Sequence, residues 1–231
     1  MIIKEAQLRR IIREMIEEPT VPVVQPESQI FCDMDGVLVN FEEAIGGLVN
    51  ELLDGGRVLG VEEPSKGFMK KLRRLKAELG PDWHAQGRPD LDIKVVRNFM
   101  MSAIGSNPGP IFAEMKPWLD AIEILWPFLN STGRPVNILT APIRGREGAA
   151  MSAEEGKELW VDQWLTPQPV EVIMSPAREK HIYATTNGVS NILIDDKSST
   201  VDSWNNAGGI GVLHMPGGSA QTVQVLGKIG L

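Results

Sequence analysis

The chain has 231 residues, 42% of them hydrophobic and 23% charged, a composition that suits a globular protein with a substantial core rather than a disordered chain. A net charge of -7 argues against a protein that coats nucleic acid, because neutralising many phosphates takes a surplus of Lys and Arg. The single cysteine, Cys32, excludes an internal disulfide framework. No apolar run approaches the roughly 18 residues of a membrane span, and no signal-peptide pattern opens the chain, so a cytoplasmic protein without a membrane partner is expected.

Residues 1 to 18, MIIKEAQLRRIIREMIEE, space Ile3, Leu8, Ile11, Ile12, Met15 and Ile16 close to a helical period and read as an amphipathic helix. It has two expected uses: packing on its own core or a sister subunit in a homodimer, or anchoring to a partner protein or a membrane surface, with the rest of the chain then a scaffold for that interaction. A proline-rich linker follows, so residues 1 to 22 form a unit of helix and linker.

Beyond the linker come five short apolar runs, at 29 to 33, 136 to 140, 170 to 174, 191 to 195 and 210 to 214. Helical patterns separate the later ones, notably WLDAIEILWPFL, EEGKELWVDQWL and STVDSWNNA. Strands alternating with helices predict an α/β fold with a five-stranded parallel sheet covered on both faces, and in such sheets ligands bind beyond the carboxyl ends of the strands. Asp33, Thr140 and Asp195 each end a different predicted strand, so this fold brings them to one edge. Residues 41 to 112 interrupt the alternation with three helical stretches, each ending in glycine, and read as a helical cap inserted after the first strand. The core is then 23 to 40 together with 113 to 231. Lys66, Lys70, Lys71, Arg73, Arg74 and Lys76 make the middle cap helix basic; a solvated face and a local positive field for an anionic substrate both account for them.

The chemistry follows from the ionisation of the carboxylates. Asp33 is charged at neutral pH without help from a base, so it can attack an electrophile directly, and phosphorus gives an acyl phosphate labile enough to hydrolyse. Asp35, carried past the strand end by the turn at Gly36, can protonate the leaving alcohol and then deprotonate the incoming water. Two anions facing a phosphate dianion call for a divalent cation, and Mg²⁺ is the hard, oxygen-seeking ion that fits, with Asp195 among its ligands. Thr140 can donate to a phosphate oxygen, and a lysine must offset the charge that develops in flight. No glycine loop ending in Gly-Lys-Ser/Thr occurs, so the nucleoside triphosphate machinery of that type is missing from the sequence.

These residues resemble a family. DMDGVLVN is similar to the first motif of the haloacid dehalogenase superfamily of phosphotransferases, ILTAP to its second, a lysine within SPAREKHIYA to its third and ILIDDKSSTVDSW to its fourth. Within it the sequence most resembles the 5'(3')-deoxyribonucleotidases, whose first motif commonly reads DMDGVLADFE and whose second reads TSPI before a Trp-bearing helix. The resemblance implies a Rossmann-like core, Asp33 as nucleophile, Asp35 as general acid and base, and Mg²⁺ held by Asp33, the main-chain carbonyl of Asp35 and Asp195, with Asp196 in support. It implies Thr140 and Lys180 as the phosphate grip, with Arg178 competing for the lysine's place. Arg144 and Lys197 follow motif residues, and both a reach to the substrate and a plain surface charge account for them. Phe41 matches the aromatic side chains that face the base or sugar in that family, and Phe68 and Phe112 match them loosely; packing in the core of the cap accounts for these residues equally. Asn40 and Ala141 depart from the family, which usually has aspartate and serine there, and Ala141 removes one donor at the substrate. The expected substrate is a small phosphate monoester, in the first place a nucleoside monophosphate, with a sugar phosphate or polynucleotide end as the alternative. No long nucleic acid is expected under a closed cap.

Overall fold

A computed structural model of the chain describes residues 24 to 41, 44, 47, 66 to 79, 108 to 142 and 151 to 231. The amphipathic helix at residues 1 to 18, most of the cap, and Arg144 therefore lie outside the described residues.

Five parallel strands form the sheet: β1 (Ile30–Cys32), β2 (Val136–Thr140), β3 (Val172–Met174), β6 (Ile192–Asp195) and β7 (Ile210–Leu213), in the order β3-β2-β1-β6-β7. The register pairs Ile30 with Val136 on one side and with Ile192 on the other. The three inner strands are buried at every position, while β3 and β7 at the edges are only partly buried. That is why the inner strands are nearly continuous apolar runs, with buried Asn137 the one polar residue before their final positions: both faces are covered by helices.

The period of two along each strand divides the core. Ile30, Cys32, Ile138, Ile192 and Ile194 face the larger layer, where Trp126, Trp160 and Leu226 pack. Phe31, Leu139 and Leu193 face the smaller layer around Trp204. The larger layer contains α2 (Pro108–Ala113), α3 (Trp126–Ser131), α4 (Ala153–Trp164) and α6 (Ser219–Lys228); a 3-10 segment, Ala177–Tyr183, and α5 (Ser198–Asn206) make the smaller one. The remaining helix, α1 (Lys66–Leu79), is the described part of the basic stretch; Lys66, Lys70, Arg73 and Arg74 are exposed on it.

Two local departures from the sequence expectation have physical causes. The stretch WLDAIEILWPFL is not one α-helix: Ala121–Leu125 is a π-helical turn that gives way to α3 at Trp126. Pro127 lacks an N–H and its ring would crowd the carbonyl four residues back, so the ladder widens before it and restarts with proline in the first turn of α3, where no donor is required. A two-stranded antiparallel hairpin, β4 (Thr185–Thr186) with β5 (Val189–Ser190), also interrupts the expected alternation. Its turn is Asn187-Gly188, with φ of 53° and 79°, the left-handed pair that joins two strands most directly.

The chain leaves β1 to build β2 and β3 on one side, then returns to lay β6 against β1's other side and β7 beyond it. The reversal falls between β1 and β6, which opens a crevice where the carboxyl ends of these two strands lie side by side. Among the described residues no helix is long and apolar enough to cross a membrane.

Candidate active site

At the mouth of that crevice, Asp33 follows β1 and Asp195 ends β6. The backbone N–H of Asp33 donates to the Ile194 carbonyl at 2.8 Å, which ties the two strand ends together. Asp33 Oδ1 accepts from the Met34 N–H at 2.7 Å and Asp195 Oδ1 from the Lys197 N–H at 2.9 Å, so each carboxylate is oriented by the backbone that leaves its strand.

Lys180 completes this half of the site. Its Nζ lies 2.8 Å from Asp33 Oδ2 and 2.8 Å from Asp195 Oδ2, and the residue is buried. Burial alone would pull its pKa down, but the Asp33 and Asp195 charges and hydrogen bonds outweigh this and hold the ammonium above the ordinary lysine range. Asp195 is pushed above the ordinary carboxylate range by burial first and by the Asp33 charge second, against the pull of Lys180 and the Lys197 N–H. Arg178, the competitor for the lysine's place, is exposed and pairs with Glu179 at 3.1 Å. The geometry thus brings Lys180, not Arg178, to the carboxylates.

Asp196 adds a third carboxylate. One oxygen each of Asp33, Asp195 and Asp196 lie within 4.8 Å of one another. Three hard oxygen donors at that spacing, two of them buried, fit a divalent cation. Gly36 makes this possible in two ways. Its φ of +85° suits only a residue without a side chain, and a Cβ there would run into the Asp196 carboxylate.

The same turn throws Asp35 toward the other side of the crevice. Leu38 and Val39 both donate to the Met34 carbonyl and Gly36 N–H donates to the Val39 carbonyl, closing a tight loop over residues 34 to 39. Asp35 Oδ2 then meets Lys157 Nζ at 2.7 Å. Lys157 also donates to Thr140 Oγ1 at 2.6 Å and to the Ala141 carbonyl at 3.0 Å, with its Nζ 4.9 Å from the centre of the Phe112 ring. Asp33, Asp35, Thr140, Ala141, Lys180 and Asp195 are therefore gathered at one edge of the sheet.

Lys157 is the one residue of this constellation that sequence reasoning missed. A signal existed: Lys157 stands four residues after Ala153, three before Trp160 and four before Val161, all buried, so it occupies the apolar face of α4. A lysine fully buried on such a face needs a partner.

The aromatic residues are placed differently from one another. Phe41 and Phe112 stack with centroids 6.2 Å apart and an interplanar angle of 19°, and both are buried. Phe68 falls within α1, and its side chain lies outside what is described. Cys32 is a buried filler whose thiol is raised by burial first and the Asp33 charge next, which makes it inert.

The fold and site together define an α/β protein with an acid-lined crevice at its strand carboxyl ends. No family model matches the chain, and no curated protein does. Solved structures resemble it at low identity. A hydrolase from Streptococcus pneumoniae TIGR4 superposes with a TM-score of 0.47 at 12% identity, covering 88% of this chain and 100% of that one. A haloacid dehalogenase-like hydrolase, SP0104 of Streptococcus pneumoniae, gives 0.41 at 18%, covering 87% and 90%. A putative beta-phosphoglucomutase from Thermotoga maritima gives 0.44 at 18%, covering 87% and 99%. These are likenesses in the course of the chain, and the function below rests on the side chains of this molecule.

Proposed function

We propose that the protein is a Mg²⁺-dependent phosphomonoesterase of the haloacid dehalogenase type that works through an aspartyl-phosphate intermediate. The observation that carries the reading is the gathering of two separately partnered aspartates, Asp33 on Lys180 and Asp35 on Lys157, beside three carboxylate oxygens within 4.8 Å.

Asp33, Asp195 and Asp196 would hold the ion, and the carbonyl of Asp35 is the further ligand that the family resemblance adds. When bound, Mg²⁺ neutralises the crowded anions and the phosphate's charge. In the first step Asp33 Oδ bonds to phosphorus, the bond from phosphorus to the ester oxygen breaks, and Asp35 gives its proton to the departing alkoxide. In the second step Asp35 takes a proton from water, the water oxygen bonds to phosphorus, and the acyl phosphate bond breaks. Asp33 is regenerated as a carboxylate and inorganic phosphate leaves. Thr140 and Lys180 hold the phosphate oxygens through both displacements.

A nucleoside monophosphate is the substrate class that the motif resemblance favours. A second class, small sugar or alkyl phosphates, is favoured by a specific observation: Phe41 and Phe112 stack on each other, buried, with no free face for a base. Incubating the protein with Mg²⁺ and a panel of nucleoside 5'- and 3'-monophosphates and sugar phosphates, and measuring released phosphate, tests both. Turnover of at least one member, lost on Asp33→Asn, is expected. No release from any member would refute the reading.

A further inference from the structure

Lys157 sits outside the four motifs, yet it is the most constrained cation among the described residues of the site. Its ammonium has three N–H bonds and three acceptors: Asp35 Oδ2 at 2.7 Å, Thr140 Oγ1 at 2.6 Å and the Ala141 carbonyl at 3.0 Å. The side chain is fully buried, and the Phe112 ring closes the remaining side at 4.9 Å from Nζ. Burying an ammonium is costly, and only a full set of acceptors offsets it. A lysine so committed has no N–H left to offer a substrate.

The scaffold behind it is rigid. The Ser152 and Glu155 capping box fixes where α4 begins, at 3.1 Å and 2.7 Å. Trp160 Nε1 donates to the Met115 carbonyl at 2.7 Å and ties α4 to the segment that follows α2. Gly156, next to Lys157, lets the two helices touch, because a Cβ there would run into the Gly109 carbonyl.

We propose that Lys157 is a positioning residue: it clamps the acid and base Asp35 to the phosphate-gripping loop at Thr140 and Ala141, so that proton donor and phosphate grip keep one spacing. This rests on the phosphomonoesterase reading above. By donating to Thr140 Oγ1, the lysine also leaves the threonine's own hydroxyl hydrogen for the phosphate. Through Asp35 its effect falls on the leaving group. An alkoxide must receive a proton as its bond to phosphorus breaks, whereas p-nitrophenolate departs without one. Loss of the clamp therefore penalises alkyl esters selectively, which no merely structural role would do.

The test compares kcat and KM of wild type, Lys157→Met and Lys157→Arg with Mg²⁺, using p-nitrophenyl phosphate and the alkyl phosphate that wild type turns over fastest. For Lys157→Met, kcat on the alkyl ester is expected to fall roughly 100-fold, and on the aryl ester less than about 10-fold, with KM changing less than kcat. Lys157→Arg keeps the charge but not the three-pronged geometry, so it shows the same selectivity to a smaller degree. It also decides the matter should Lys157→Met melt below the assay temperature. Equal losses on both esters, or none, would overturn the positioning role while leaving the phosphatase reading intact. A wild type silent on every phosphate ester would instead overturn that reading, and this one with it.

Discussion

Replacing Lys180 by Met removes the cation between two buried carboxylates and keeps the length of the side chain. Asp33 and Asp195 oxygens no more than 4.8 Å apart then face each other unscreened. At an effective dielectric constant of about 20, two unit charges at that spacing repel by about 3 kcal/mol. Recovery of the ammonium's own desolvation works in the other direction, but breaking a buried pair by deleting one partner still costs roughly 3–5 kcal/mol on balance. A net loss of about 3 kcal/mol corresponds to a fall in Tm of roughly 6–12 °C for a chain of this size. Two conditions should restore it. Added Mg²⁺ occupies the same carboxylates and raises the variant's Tm more than that of wild type. Acid acts likewise: Asp195 is already raised in the folded state, and without Lys180 it is raised further, so the folded variant binds more protons than the unfolded chain and gains stability as pH falls through the carboxylate range. Wild type has the same sense at high pH: the raised Lys180 contributes stability that is fully present below the ordinary lysine value and is lost as pH climbs past it. Differential scanning calorimetry across Mg²⁺ concentration and pH checks all of this. A variant that melts with wild type and ignores Mg²⁺ would refute the idea that these carboxylates are crowded around a cation site.

Gly36→Ala should lose about 1–2 kcal/mol from its left-handed φ, and because the methyl also displaces Asp196, Mg²⁺ affinity measured by titration calorimetry should weaken. Unchanged affinity would separate Asp196 from the ion. His214 is buried, with Nδ1 on Thr222 Oγ1 at 2.9 Å, and burial lowers its pKa against the opposing Asp120 charge. The unfolded chain therefore binds the proton more readily, so stability should decline as pH drops below about 6.5, and urea midpoints of His214→Gln should lose most of that slope. Gly156→Ala improves helix propensity but drives a methyl into the Gly109 carbonyl, so a net destabilisation of about 1–3 kcal/mol is expected in chemical melts. A more stable variant would show that α2 and α4 are not in contact.

The sheet was legible because the inner strands are short, mainly apolar runs, broken only by Asn137 and each leading to a polar residue, and because helical patterns separate the later runs. The same rule led to Asp33, Thr140 and Asp195 at one edge. Lys157 was hidden for a physical reason: its partners, Asp35 and Thr140, are 122 and 17 residues away, and only the fold brings α4 to the turn after β1 and the end of β2 where they lie. The π-helical turn at Ala121–Leu125 followed from Pro127, whose effect on the preceding turn is local and was readable. The Asn187-Gly188 hairpin carries the strongest short-range signal for such a turn, but its strands are two residues each, too short to show an alternation of their own. The aromatic residues show the opposite limit. Whether Phe41 and Phe112 offer a face to a ligand or to each other depends on tertiary contacts that no spacing in the sequence specifies.

Covalent phosphoryl transfer to Asp33 is the central claim, and rapid acid quench during turnover tests it most directly. Borohydride reduction of the trapped acyl phosphate, followed by peptide mass spectrometry, should find the label on the peptide containing Asp33 in wild type and nowhere in Asp33→Asn. Steady turnover with no label, or a label on another residue, would contradict the account.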